Sequence, residues 1–138
     1  MTTTFIKSAV AGLFALTLGS LVVIAPATAG GQVSVSFTPT DPDQAQALGM
    51  GLQIFSLVKG FQGQGGISQD GHGNSAGVGQ NGWGNHGLIV QEGNGHNGTI
   101  EQNGNNNSCG LFQFGENTDG QCLQNGDGGS SITTVFGF

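Results

Sequence analysis

From Gln69 onward, small, apolar and amide positions recur with a fixed eleven-residue beat. Gln stands at 69, 80, 91, 102, 113 and 124, and glycine follows two positions after each, at Gly71, Gly82, Gly93, Gly104, Gly115 and Gly126. Projected backwards, Val58 and Gly60 fill the same two slots. Eleven residues hold one short strand and one turn, so two units make a coil of 22 residues with two strands. Side chains alternate across a strand. The fifth, seventh, ninth and eleventh residues after each Gln therefore share a face. Along the chain that face reads Asn74, Ala76, Val78, Gln80; Asn85, Gly87, Ile89, Gln91; His96, Gly98, Ile100, Gln102; Asn107, Cys109, Leu111, Gln113; and Thr118, Gly120, Cys122, Gln124. One column is small and one is large and apolar. The pattern predicts an all-β, two-sheet β-solenoid with this face inward and Val78, Ile89, Ile100 and Leu111 in its core. The opposite face carries a mixture that includes Gly77, Gly79, Leu88, Val90, Thr99 and Glu101, and is assigned outward.

A helical reading of the repeats is disfavoured, because each internal glycine costs a helix about 1 kcal/mol. The repeated glycines fall early in each turn, where a tight reversal needs positive φ. Across the coil, successive strands run in opposite directions, which sets Gly87 against Ile100, Ile89 against Gly98 and Leu111 against Gly120. Interior amides must be paired, since an unpaired buried amide costs several kcal/mol. Equivalent positions recur one strand spacing apart, so Gln69, Gln91 and Gln113 should stack on one sheet and Gln80, Gln102 and Gln124 on the other, with Asn74, Asn85 and Asn107 forming further columns. Such amide ladders satisfy every rung except the last. An uncovered last rung is also an open sheet edge, which templates pairing with another chain.

The remainder of the chain is organised differently. Lys7, the apolar run Ala9 to Ile24 and the small residues Ala27-Thr28-Ala29 have the form of a secretory signal cleaved after residue 29. The expected organisation is a signal peptide over 1–29, a leader or degenerate capping segment over 30–57, and the repeat solenoid over 58–138, with no membrane span in the mature chain. Within the leader, Val33, Val35 and Phe37 alternate as in a short strand. Asp41-Pro42 could open a helix with Ala45, Leu48, Leu52 and Phe55 on one face. Alternatively, Leu52, Ile54 and Ser56 could form a degenerate first strand; the sequence leaves both open. At the other end, Ile132 to Phe138 is strongly strand-prone, and Phe136 and Phe138 are expected to stay exposed until another subunit covers them.

Composition narrows the function. The chain has 138 residues, of which 28 are glycine, with 2 Lys+Arg against 8 Asp+Glu. A nucleic-acid interface needs basic side chains to displace counterions, and a membrane-surface module needs them too. No paired carboxylates and no Ser/His/Asp or Cys/His set stand at a usable spacing, so an enzyme is not expected.

The segment Gln69-x-Gly71-x-Gly73-Asn74-x-Ala76-x-x-x-Gln80 resembles the curlin repeat, the unit of curli fibre subunits, and the units opened by Gln80, Gln91 and Gln102 match it more loosely. The resemblance covers residues 58 to 138 and the signal. It implies a secreted functional amyloid, a solenoid that polymerises into extracellular fibres of a bacterial biofilm matrix for adhesion and surface attachment. It also implies copies of itself, a nucleating minor or major curlin subunit and an outer-membrane secretion pore as partners. The sequence departs from the pattern where Asn85 and Asn107 replace the usual serine, and in the sparse unit that follows Gln113.

Cys109 and Cys122 fall at opposing positions of the two-sheet frame, and an exported chain with two cysteines usually pairs them, so an intrasubunit disulfide is expected. His72, His86 and His96 have no Cys or carboxylate at ligand spacing. They read as polar turn or strand-start residues, with no metal and no cofactor expected. The acids Asp70, Glu92, Glu101, Glu116, Asp119 and Asp127 read as solvated charges, or in a sharper form as gatekeepers against premature aggregation. Two rivals to a fibre subunit are a non-polymerising solenoid that acts as an adhesin or ligand-binding module, and a disordered Gly/Asn-rich secreted chain. The regular phase of the repeats argues against the second.

Overall fold

The computed structural model describes residues 31–61 and 65–138. The signal expected over 1–29 lies outside the described residues. The described elements are β1 (Gln32–Phe37), α1 (Pro42–Val58), β2 (Gly65–Asp70), β3 (Ser75–Asn81), β4 (His86–Asn94), β5 (Asn97–Asn103), β6 (Ser108–Glu116), β7 (Asp119–Asn125) and β8 (Ser130–Gly137). From β2 onward, successive strands alternate between two sheets. The long sheet has the order β1-β8-β6-β4-β2 and the short sheet β3-β5-β7. All pairings from β2 to β8 are parallel, and partners such as Ile89 and Leu111, or Ile100 and Cys122, lie one coil apart. The result is a β-solenoid of about three turns. β1 stands apart from the coil: it joins the long sheet beside β8 and runs antiparallel to it, with Gln32 opposite Gly137 and Phe37 opposite Ile132.

Two backbone columns make the corners. The first is the glycine two residues after each Gln; Gly93, for example, has φ 127°. A Cβ there would overlap the carbonyl oxygen of Gly115 in the next coil, so the position needs glycine for stacking as well as for its dihedral. The second column, four residues after each Gln, holds Gly73, Gly84, Gly95, Asn106, Asn117 and Gly128, and all six have positive φ. Asparagine is the side chain that best tolerates this region. The column is plain in the sequence once turn chemistry is sought at that offset.

The interior contains one apolar cluster of Ile89, Ile100, Cys109, Leu111, Cys122 and Val135. Val78, expected in the core, is 36% exposed, because its strand β3 is the outermost rung of the short sheet. The expected glycine complementarity is also shifted. Gly120 faces Leu111 and Val135, but Gly98 lies nearest Gln113, Gln91 and Leu111 rather than Ile89, and Gly87 lies nearest Val78, Gln80 and Gln102 rather than Ile100. The coil climbs as it crosses from sheet to sheet, so opposing strands are staggered and a side chain meets the gap between two rungs.

A second core lies outside the coil. Leu88 and Val90, assigned outward, are buried with Leu52 and flanked by Phe61, Phe112 and Ile132. The cover is α1, so of the two readings of the leader the helix is the one adopted. Asp41 caps it by accepting a hydrogen bond from the Asp43 backbone N–H at 2.8 Å, and Pro42 occupies the first turn, where its missing N–H costs nothing. The buried face is Ala45, Gly49, Leu52 and Ser56, not the expected one through Leu48 and Phe55. Gly49 sets that rotation, since a Cβ there would stand 2.9 Å from Ser108 Oγ. Gly110 likewise leaves room for Leu52, and Phe55 packs edge-on against Phe112 with ring centroids 5.7 Å apart. Val58 ends this helix and Gly60 turns the chain with φ 87°. The backward projection of the repeat onto Val58 therefore fails, and the expected boundary between 57 and 58 falls within the last helical turn. Burial of Leu52 overrides the repeat's phase there.

Candidate assembly surface: the amide files and the ends of the coil

The glutamines form two continuous files. In the long sheet, Gln69 Nε2 donates to Gln91 Oε1 at 2.7 Å and Gln91 Nε2 donates to Gln113 Oε1 at 2.8 Å. In the short sheet, Gln80 donates to Gln102 at 2.8 Å and Gln102 to Gln124 at 2.7 Å. Gln91, Gln102 and Gln113 are fully buried. Four of the amides also donate across the corner: Gln91 bonds the Ser75 carbonyl at 2.8 Å, Gln102 that of His86 at 3.1 Å, Gln113 that of Asn97 at 2.8 Å and Gln124 that of Ser108 at 3.0 Å. The files thus have a direction, with every Gln-to-Gln bond donated toward the C-terminal rung. The small column makes room for them, since a Cβ on Gly98 would come within 2.5 Å of Gln113 Oε1.

The asparagines work differently from the expected amide columns. Asn74 Oδ1 accepts from the His96 backbone N–H at 3.0 Å, while its Nδ2 donates to the Gly93 carbonyl at 2.9 Å. Asn85 makes the same pair of bonds to Asn107 and Gly104, and Asn107 to Gly129 and Gly126. Their shorter side chains reach the backbone of the next corner rather than the next asparagine, so they lock turn onto turn. His96 fills an asparagine slot and is buried, its ring nitrogens 2.8 Å from Thr118 Oγ1 and 3.2 Å from the Glu92 carbonyl. His86 is also buried, at the start of β4; only His72 is exposed as a turn residue. Among the described residues no three His, Cys, Asp or Glu side chains come together as a metal site, and no helix is long and apolar enough to cross a membrane. The acids Asp70, Glu92, Glu101, Glu116, Asp119 and Asp127 are all exposed.

A disulfide joins Cys109 on β6 to Cys122 on β7, tying the two sheets together with Cα atoms 6.7 Å apart. Ser131 Oγ lies 3.4 Å from the Cys109 sulfur and 3.1 Å from that of Cys122. Closing a loop of this length restricts the unfolded chain by about 3 kcal/mol in the chain-entropy picture.

The ends of the coil differ. At the β2–β3 end, no described strand pairs with the outer edge of either sheet. At the other end, Val135 takes the place of the next glutamine after Gln113. Gln113 turns its amide to Thr118 Oγ1 at 3.0 Å, and Gln124 turns its own to Ser131 Oγ at 3.4 Å. β1 then covers β8. Its first residue also reaches the short sheet, where Gln32 donates to the Asp119 carbonyl at 2.9 Å and accepts from the Asp119 N–H at 2.6 Å. Beyond β7 the short sheet has no further described strand, and a groove lined by Pro39, Leu123, Gln124, Ser130 and Ser131 lies there. Phe136 and Phe138 remain about half exposed. The sequence reading missed this asymmetry, because β1 lies outside the repeat and its partner strand is more than 90 residues away. Family models, curated proteins and solved structures give no match to this chain.

Proposed function

We propose that the chain is a secreted structural subunit that self-assembles end to end into curli-like extracellular amyloid fibres, of the kind that build a biofilm matrix and attach cells to surfaces. In this reading the structural unit is the eleven-residue strand and turn, export follows removal of residues 1–29, and the fibre continues the cross-β stacking of the subunit. The observation that carries the reading is the pair of glutamine files. They run perpendicular to the strands and reach the outermost rungs, β2 and β3, whose edges no described strand covers. An edge of this kind presents backbone groups at the spacing a further strand needs, and the amide files hold the rungs of the chain in the parallel register that such an addition would extend. The test is seeded growth of the purified chain from residue 30 onward, followed by thioflavin fluorescence. Sonicated fibres should abolish the lag; a chain that stays monomeric beside seeds contradicts the proposal.

One observation favours a second reading, a non-polymerising solenoid that serves as an adhesin or ligand-binding module. β1 pairs with β8 and so closes one end of the long sheet from within the same chain. The seeding assay separates the two.

A further inference from the structure

We propose that the end of the coil beneath β1 is the docking surface for the β2–β3 end of a second copy, and that β1 must give up β8 for the two to join. This rests on the fibre reading above and specifies how one subunit meets the next.

The number of rungs in each sheet decides how a second copy can dock. From β2 to β8 the coil places four strands in the long sheet and three in the short sheet, and β1 adds a fifth to the long one. A second copy arrives with β2 and β3 joined by a short turn, hence within one rung of each other in height. With β1 in place, β2 of the newcomer would sit two rungs above β8. The short sheet would then lack two rungs between β7 and the newcomer's β3, a gap of about 10 Å of unpaired backbone at the usual strand spacing. With β1 removed, β2 pairs directly with β8 in the parallel register already used by β6 and β8. One rung is then missing, at the groove beside β7.

The displaced strand has somewhere to go. β1 has six residues against seven in β7, and Gln32 already makes two hydrogen bonds to the Asp119 backbone at that edge. The contact β1 surrenders is also the one that differs in kind from the rest of the coil, being antiparallel where the others are parallel. The occupant that fits is thus a copy of this chain, whose β2 is the same rung as β4, β6 and β8.

A lock tests this. Ser36 Oγ and Thr133 Oγ1 are 3.0 Å apart across the β1–β8 pair, so Ser36→Cys with Thr133→Cys should form a disulfide that holds β1 down. The oxidised variant should fail to elongate wild-type seeds. Its reduced form should elongate them as the wild type does in the same reductant, the control for loss of the Cys109–Cys122 bond. An oxidised variant that grows at the wild-type rate overturns the inference while leaving the fibre reading intact. A wild type that never grows from seeds removes that reading, and the inference with it. The second readout uses the same variant assembled while reduced. On oxidation, peptide mapping should find the Ser36–Thr133 link in monomer but not in fibres; the link forming equally in both overturns the proposal.

Discussion

The two ends of the coil are built from the same repeat yet are finished differently. At the β2–β3 end, Gln69 opens its file as a donor in an exposed strand, and Val78 and Ile67 are 36% and 40% exposed. At the β8 end, the equivalent positions are closed: Thr133, in register with Ile67, and Cys122, in register with Val78, are buried, the disulfide binds the two sheets, and β1 covers the last rung. The difference teaches that a repeat specifies the stacking but not where it stops. Termination here comes from residues outside the beat: Val135 in place of glutamine, Ser131 and Thr118 as side-chain partners for the last amides, and a strand drawn from the N-terminal segment.

Substitutions should break the comparison in graded steps. Leu111→Ala removes a side chain shared by Gly98 and Gly120 in the closed half, and should cost about 2–5 kcal/mol in denaturant unfolding of the monomer. Val78→Ala at the open end should cost less than about 1 kcal/mol, because Val78 is already 36% exposed and no rung packs beyond it among the described residues. Equal losses at the two sites would deny the asymmetry. Next in size, replacing both Cys109 and Cys122 by serine should destabilise the monomer by about 3 kcal/mol. Hydrogen exchange should show that the loss falls first on β6, β7 and β8.

Gln91→Ala sits within a file. It strands the Gln69 donor, the Gln113 acceptor and the Ser75 carbonyl together, with an expected cost of about 1–3 kcal/mol. Gln69→Ala, on the outer rung, should change monomer stability by no more than about 0.5 kcal/mol yet slow seeded growth, since in the proposed junction its side chain packs on Val135 of the neighbour. Chemical denaturation and growth kinetics of the same two proteins read this crossover directly. If Gln69→Ala grows as fast as the wild type, the outermost glutamine contributes nothing to docking.

Much of the coil could be read from the sequence because its signals are local and repeated. The glutamine spacing led to the parallel sheets, and the alternation within each unit identified Ile89, Ile100 and Leu111 as interior. Three features escaped for physical reasons. The outward face is two surfaces, because alternate units belong to different sheets: Leu88, Val90 and Phe112 lie on the long sheet under α1, while Gly77, Gly79 and Glu101 lie exposed on the short one. A period of 22 rather than eleven separates them. Asn74, Asn85 and Asn107 share an amide with glutamine but sit at the corners, where the shorter side chain meets the backbone of the next turn instead of the next asparagine. β1 has an alternating pattern that identifies a strand but carries no mark of its partner, which only the tertiary fold supplies. Val58 belongs to the helix that Leu52 anchors, and that helix displaced a repeat phase that rested on a single glycine.

The central claim is that stacking inside the molecule continues from one molecule to the next. Fibre X-ray diffraction from aligned, seeded assemblies tests it most directly. The account predicts a sharp reflection near 4.8 Å along the fibre axis and a broad one near 10 Å across it, the spacings of strands within a sheet and of sheets packed face to face. Assemblies without the axial reflection, or a chain that forms no ordered assembly at all, would contradict it.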